Sequence, residues 1–156
     1  MKQWPVVVGG LILAALLLPS TVLADDDDGV YDEQLALALG ADDYGMRRYV
    51  MAVLKAGPNR DGDAEEVAEI QSGHMAHIRQ LVADGKMVLA GPFLDGGEMR
   101  GIFVFAVDSV DQARELTEAD PAVQAGRLVM ELHPWYGSAA LMQVSEIHDR
   151  IARQNP

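Results

Sequence analysis

D-A-E-E-V-A-E-I-Q-S-G-H-M-A-H-I-R-Q-L-V-A-D-G-K-M-V-L-A-G-P-F, residues 63–93, reads as one helix followed by one strand. Val67, Ile70, Ile78 and Leu81 recur at helical spacing and make a single apolar stripe. Asp63, with Glu66 three residues on, has the form of a capping box, and Gly85 ends the helix. His74 falls at the centre of the stripe, where an aliphatic residue is expected. A buried imidazole without a partner costs about 1–3 kcal/mol, so His74 must meet a hydrogen-bonding group.

Outward from this stretch the pattern continues in short units. Arg48–Leu54 is a nearly continuous apolar strand ended by Gly57-Pro58. Met87–Ala90 is a second strand, ended by Gly91-Pro92. Asp95-Gly96-Gly97 is a turn, and Arg100–Val107 completes a hairpin. Val110–Ala119 is a second helix, capped by Asp108 or Ser109 and stopped or kinked at Asp120-Pro121. Leu128–His133 is a fourth strand, stopped by Pro134. Leu141, Val144, Ile147 and Ile151 space out a C-terminal helix whose apolar side docks on the domain or on a partner. Upstream, Tyr31–Gly40 has the form of a short helix closed by glycine, although Leu35, Leu37 and Leu39 also alternate like a strand.

The order β-α-β-β-α-β predicts an α+β, ferredoxin-like split βαβ fold: a four-stranded antiparallel sheet with two helices on one face. The strands are apolar on both faces, with Tyr49, Met51 and Val53 opposite Val50, Ala52 and Leu54. An antiparallel sheet open to water on one side alternates polar and apolar residues, so the second face needs cover. A second copy of the chain is the simplest cover, and a homodimer is expected.

The totals set limits. The chain has 156 residues, enough for one full core, and 24 acidic against 12 basic side chains for a net charge of −12. Such a surface disfavours nucleic acid and anionic membranes. With no cysteine, disulfides, thiolate catalysis and zinc-thiolate sites are excluded. Lys2, an apolar run from Val6 to Leu18, Pro19-Ser20 and the triplet Val22-Leu23-Ala24 have the form of a signal peptide cleaved after Ala24; an uncleaved anchor is the alternative. Cleavage implies a periplasmic or secreted protein with no stable membrane association. Residues 25–28 are an acidic leader that fails the calcium-loop pattern.

Three groups of side chains carry possible chemistry. His74 and Asp120 come from helices on the same side of the sheet and, if they meet, make a carboxylate-oriented acid/base unit. On the plainer reading, Asp120 only ends a helix and His74 only bonds a carbonyl. His74 and His77 lie at i, i+3, but no third metal ligand is evident. Glu131, His133 and Trp135 share one parity of the last strand and point away from the helices if Leu128, Met130 and Leu132 face them. There they line a ligand site or pair with Arg100 or Arg127. No phosphate loop or nucleophile elbow is present.

The helix histidine, G-K-M-V-L-A-G-P at 85–92 and E-A-D-P at 118–121 together resemble the YciI-like (YCII-related) domain family. L-G-A-D-D-Y-G-M at 39–46 and E-L-H-P-W-Y-G-S-A-A-L-M at 131–142 resemble a secreted subgroup of it. The resemblance implies a dimeric α+β barrel, similar in fold to muconolactone isomerases and to a dehydrochlorinase of chlorinated hydroxyquinols. It implies that the family's active-site histidine and aspartate fall on His74 and Asp120. No cofactor is expected. The organisation expected is a signal peptide (1–24), acidic leader and short helix (25–47), YCII-like domain (48–135) and C-terminal helix extension (136–156). The expected function is proton transfer, isomerisation or elimination on a small organic substrate, with Gly91, Pro92, Phe93, His133 and Trp135 about the pocket. A non-catalytic homodimer that binds a small ligand is the alternative.

Overall fold

Asp32 and Gly40 bracket the first helix, α1 (Glu33–Leu39), in the computed structural model, which describes residues 29–154. The Asp32 carboxylate accepts the Leu35 N–H at 2.9 Å, and Gly40 closes the helix in the left-handed conformation at φ +67°. The signal-peptide and acidic-leader expectations for residues 1–28 lie outside the described residues. The chain divides into a segment through Tyr31 and one compact unit from Asp32 onward.

Within that unit the elements run β1 (Met46–Ala56), α2 (Ala64–Ala83), β2 (Met87–Pro92), β3 (Met99–Phe105), α3 (Val110–Glu118), α4 (Pro121–Gln124), β4 (Leu128–Ser138), a 3-10 segment (Ala139–Gln143) and α5 (Val144–Ile151). All strand pairs are antiparallel, in the spatial order β2-β3-β1-β4. This is the ferredoxin-like arrangement expected from the element order. Asp63 caps α2 by accepting the Glu65 and Glu66 N–H groups at 3.0 and 2.9 Å. Val50, Ala52, Leu54, Phe103 and Phe105 face the helices and pack with Leu81, Met87 and Ala113. Each large apolar side chain so buried contributes about 1.5–3 kcal/mol.

Two strands run through the prolines expected to end them. Pro134 does not stop β4; the strand runs on to Ser138, and Pro134 pairs with Val50. Gly91-Pro92 likewise lies inside β2, with Pro92 opposite Gly101. The reason is the same at both. β4 and β2 are the edge strands, where a missing proline N–H need not face a partner.

The second face of the sheet is covered in part by this chain itself. Leu141 and Met142, from the 3-10 segment, pack with Trp135 on Tyr49, Val88 and Val104. The C-terminal extension therefore docks on its own domain. Tyr49 is fully buried there, its hydroxyl donating to the Ser138 carbonyl at 2.9 Å. Burial pushes that hydroxyl's pKa up, so it remains a neutral donor. Further along the same face Met51, Val53 and Ile102 are only half-buried.

Candidate active site

The site begins with a close approach of two helices. A Cβ on Gly73 would lie 3.1 and 3.2 Å from the Pro121 ring, so glycine lets α2 and α4 approach without displacing that ring by a few tenths of an ångström. The next residue on α2 is His74. The residue before Pro121 is Asp120, which follows the end of α3 and caps α4. The approach at Gly73 thereby brings the two side chains together. Gly73→Leu should cost about 1–3 kcal/mol in urea unfolding by overpacking this contact. A variant as stable as the parent would show that the helices separate freely.

His74 Nδ1 lies 2.9 and 2.8 Å from the two Asp120 carboxylate oxygens. Exposure is 8 % for His74 and 0 % for Asp120. Asp120 Oδ1 also accepts the Ala122 N–H at 2.8 Å, which locks the carboxylate in place. An ionised carboxylate only accepts, so Nδ1 carries the proton and a neutral ring presents its lone pair at Nε2. Phe103 stacks beside the ring, with centroids 6.0 Å apart and planes inclined at 26°. Nε2 has no hydrogen-bond partner among the described residues. His74 lines a cavity of about 510 Å³ between α2 and the β2–β3 end of the sheet.

The cavity wall is mostly apolar, with Val67, Ile70, Ile78, Phe103 and Leu128 among its residues. No serine, threonine, cysteine, tyrosine, lysine or carboxylate shares it among the described residues. Among the described residues His74 is therefore the one side chain of that wall of a type commonly used for general acid/base catalysis. Nucleophilic catalysis by a hydroxyl or thiol of the wall has no residue to perform it.

The expected pocket residues divide. Gly91 and Pro92 line the His74 cavity; Phe93 does not, and its side chain is 42 % exposed. His133 and Trp135 lie on the other face of the sheet, because strand residues of that parity oppose Met51 and Tyr49. Trp135 lines a separate hollow of about 730 Å³ with Arg47, Tyr49 and Tyr136, and His133 is exposed. The five residues do not share one pocket. Glu131 pairs with Lys55 at 2.6 Å across the strand, and with neither Arg100 nor Arg127. This pair lowers the Glu131 pKa and raises that of Lys55. His77 turns away from the dyad and donates Nε2–H to the Leu116 carbonyl at 2.9 Å, which gives it a structural task. No group of three or more metal-ligating side chains occurs among the described residues.

Arg60, Arg100 and Arg127 also line the cavity, and sequence reasoning did not place them there. A profile of the YCII-related domain matches residues 49–136, over half of the chain. The chain belongs to the YCII-related domain family. The matched span runs from β1 into β4 and contains both His74 and Asp120. A curated relative, the uncharacterized protein YjpA of Bacillus subtilis (strain 168), is 31 % identical over 64 residues, which are 41 % of this chain and 73 % of that protein. Among solved structures, the 5-chloro-2-hydroxyhydroquinone dehydrochlorinase TftG from Burkholderia phenoliruptrix AC1100, in complex with 2,5-dihydroxybenzoquinone, is similar at 23 % identity and a TM-score of 0.43. That likeness covers 57 % of this chain and 93 % of TftG. α1 and α5 of this YCII-related protein lie outside the matched span.

Proposed function

We propose that this YCII-related protein is a cofactor-independent acid/base catalyst acting on a small organic molecule in the His74 cavity. His74 Nε2 takes a proton from an activated C–H bond, and Asp120 holds the ring and stabilises the imidazolium that forms. Return of the proton to another carbon is an isomerisation; loss of a leaving group from the neighbouring carbon is an elimination. The observation that carries the reading is the ring itself: Nδ1 fixed by a buried carboxylate and Nε2 unclaimed, among the described residues, on a cavity wall where those residues supply no other base. The apolar run at 6–18 and the triplet before residue 25 support export to the periplasm or beyond, as a member of a secreted branch of the family. The half-buried Met51, Val53 and Ile102 support a homodimer formed across the second sheet face, closing a barrel.

The same partly covered face favours a second reading, a homodimer that binds a small ligand without transforming it. Deuterium uptake from D2O into small cyclic enones separates the two. The catalytic reading expects protein-dependent exchange that falls about 10²–10⁴-fold in His74→Gln. Exchange at the parent rate in that variant would remove His74 from the reaction. No exchange with any enone, alongside saturable ligand binding, would favour the binding module.

A further inference from the structure

The geometry points to a small organic anion, bearing a carboxylate or forming an enolate, as the ligand of the His74 cavity, with Arg100 as its principal anchor. This rests on the proposed site and specifies its substrate class. Arg60, Arg100 and Arg127 line that one cavity, although the chain carries only 12 basic residues against 24 acidic ones. No carboxylate lies within salt-bridge distance of any of the three among the described residues. Arg60 donates one N–H to the Arg127 carbonyl at 3.2 Å, and Arg127 donates one to the Asp61 carbonyl at 2.9 Å. Those bonds orient the guanidinium groups without neutralising them. Each guanidinium has five donors, so most remain for a ligand.

Arg100 carries the strongest signal. In the β1–β3 ladder Leu54 faces Gly101 and Lys55 faces Met99, so Arg100 is an extra residue with no counterpart. A bulge of this kind re-aims a side chain. Without it Arg100 would share the face of Ile102 and Val104; with it Arg100 lines the helix-side cavity. Its Nε is buried and has no hydrogen-bond partner. A buried charged donor left open costs stability, and the planar guanidinium matches a carboxylate or a pair of vicinal oxygens in two parallel bonds. The arrangement also balances the proton step. As C–H gives its proton to His74 Nε2, the electron pair moves to the carbonyl oxygen, and the negative charge formed there meets guanidinium N–H donors.

Calorimetric titration of the full chain with benzoate, benzamide and inorganic phosphate tests this. Benzoate is expected to bind at least tenfold more tightly than benzamide. Arg100→Gln should weaken benzoate about 10- to 100-fold, the usual value of a charged hydrogen bond. Arg60→Gln, at an exposed position, should weaken it less and serves if Arg100→Gln misfolds; Arg100→Lys should restore part of the binding. Equal affinity for benzamide, or benzoate binding unchanged in both glutamine variants, overturns the anion site and leaves the dyad untouched. Binding of phosphate without benzoate overturns the organic ligand. Loss of exchange in His74→Gln with benzoate still bound supports both readings. Exchange retained in His74→Gln, with Arg100-dependent benzoate binding, overturns the proton-transfer role and leaves the anion site standing.

Discussion

Asp120→Ala should lower the unfolding free energy by about 2.5–4 kcal/mol, the loss of a buried hydrogen bond to a charged group together with a helix cap. The carboxylate is fully buried, holds His74 Nδ1 with both oxygens and caps α4 through the Ala122 N–H. Its loss leaves an imidazole in an apolar setting with nothing to bond and opens the first turn of α4. Equilibrium denaturation in urea reads the change, and a double variant separates its parts. His74→Leu combined with Asp120→Ala removes both polar groups, so most of the loss should return. About 1 kcal/mol should stay missing, because the helix cap is still gone. A single Asp120→Ala variant that costs no more than that cap would mean the pair contributes nothing to the fold.

Gly57→Ala should be nearly as damaging, at about 3 kcal/mol, the upper end of overpacking effects. A Cβ there would lie 2.1 Å from the Gly126 carbonyl oxygen and 2.7 Å from the Arg127 carbonyl carbon. Both obstacles are backbone, which has no rotamer to escape into. The Gly57 N–H also donates to the Arg127 carbonyl at 2.8 Å, so this contact sets where Arg127 stands at the cavity. Gly85→Ala is the matched control. Gly85 has a φ of +67° but nothing within 4 Å of an added methyl, so it should lose only about 1–2 kcal/mol of left-handed strain. Equal melting of the two variants by circular dichroism would show that the Gly57 approach relaxes without cost.

What could be read from the residues follows from the range of the forces involved. Helix α2 and its histidine were legible because period and capping are local, and the strand order followed from alternating apolar and turn segments. The prolines at 92 and 134 misled, since whether proline ends a strand depends on whether that strand lies at an edge, a fact of the whole sheet. The split of the expected pocket also depended on the sheet, whose two faces separate His133 and Trp135 from Gly91 and Pro92. The cover over Tyr49 was expected from a second copy of the chain, with the C-terminal helix docking on the domain or on a partner; long-range packing of Leu141 and Met142 supplies part of that cover from within the chain. Arg100 was missed because a one-residue bulge leaves no mark in composition or period, yet it decides which side of a strand a side chain serves. The His74–Asp120 pair lay between these cases. The residue types suggested it, and the distance needed the close approach at Gly73.

The three guanidinium groups sit inside a molecule whose formal charge is −12. Beyond about 10 Å ordinary saline screens that charge, and a visiting anion meets the repelling envelope only inside this distance. Only within the last few ångströms does the inner wall take over. Long polyanions are turned back by the outer field, while a compact acid with one or two charges crosses it at little cost. Distance thus sorts callers by total charge before shape is tested at all.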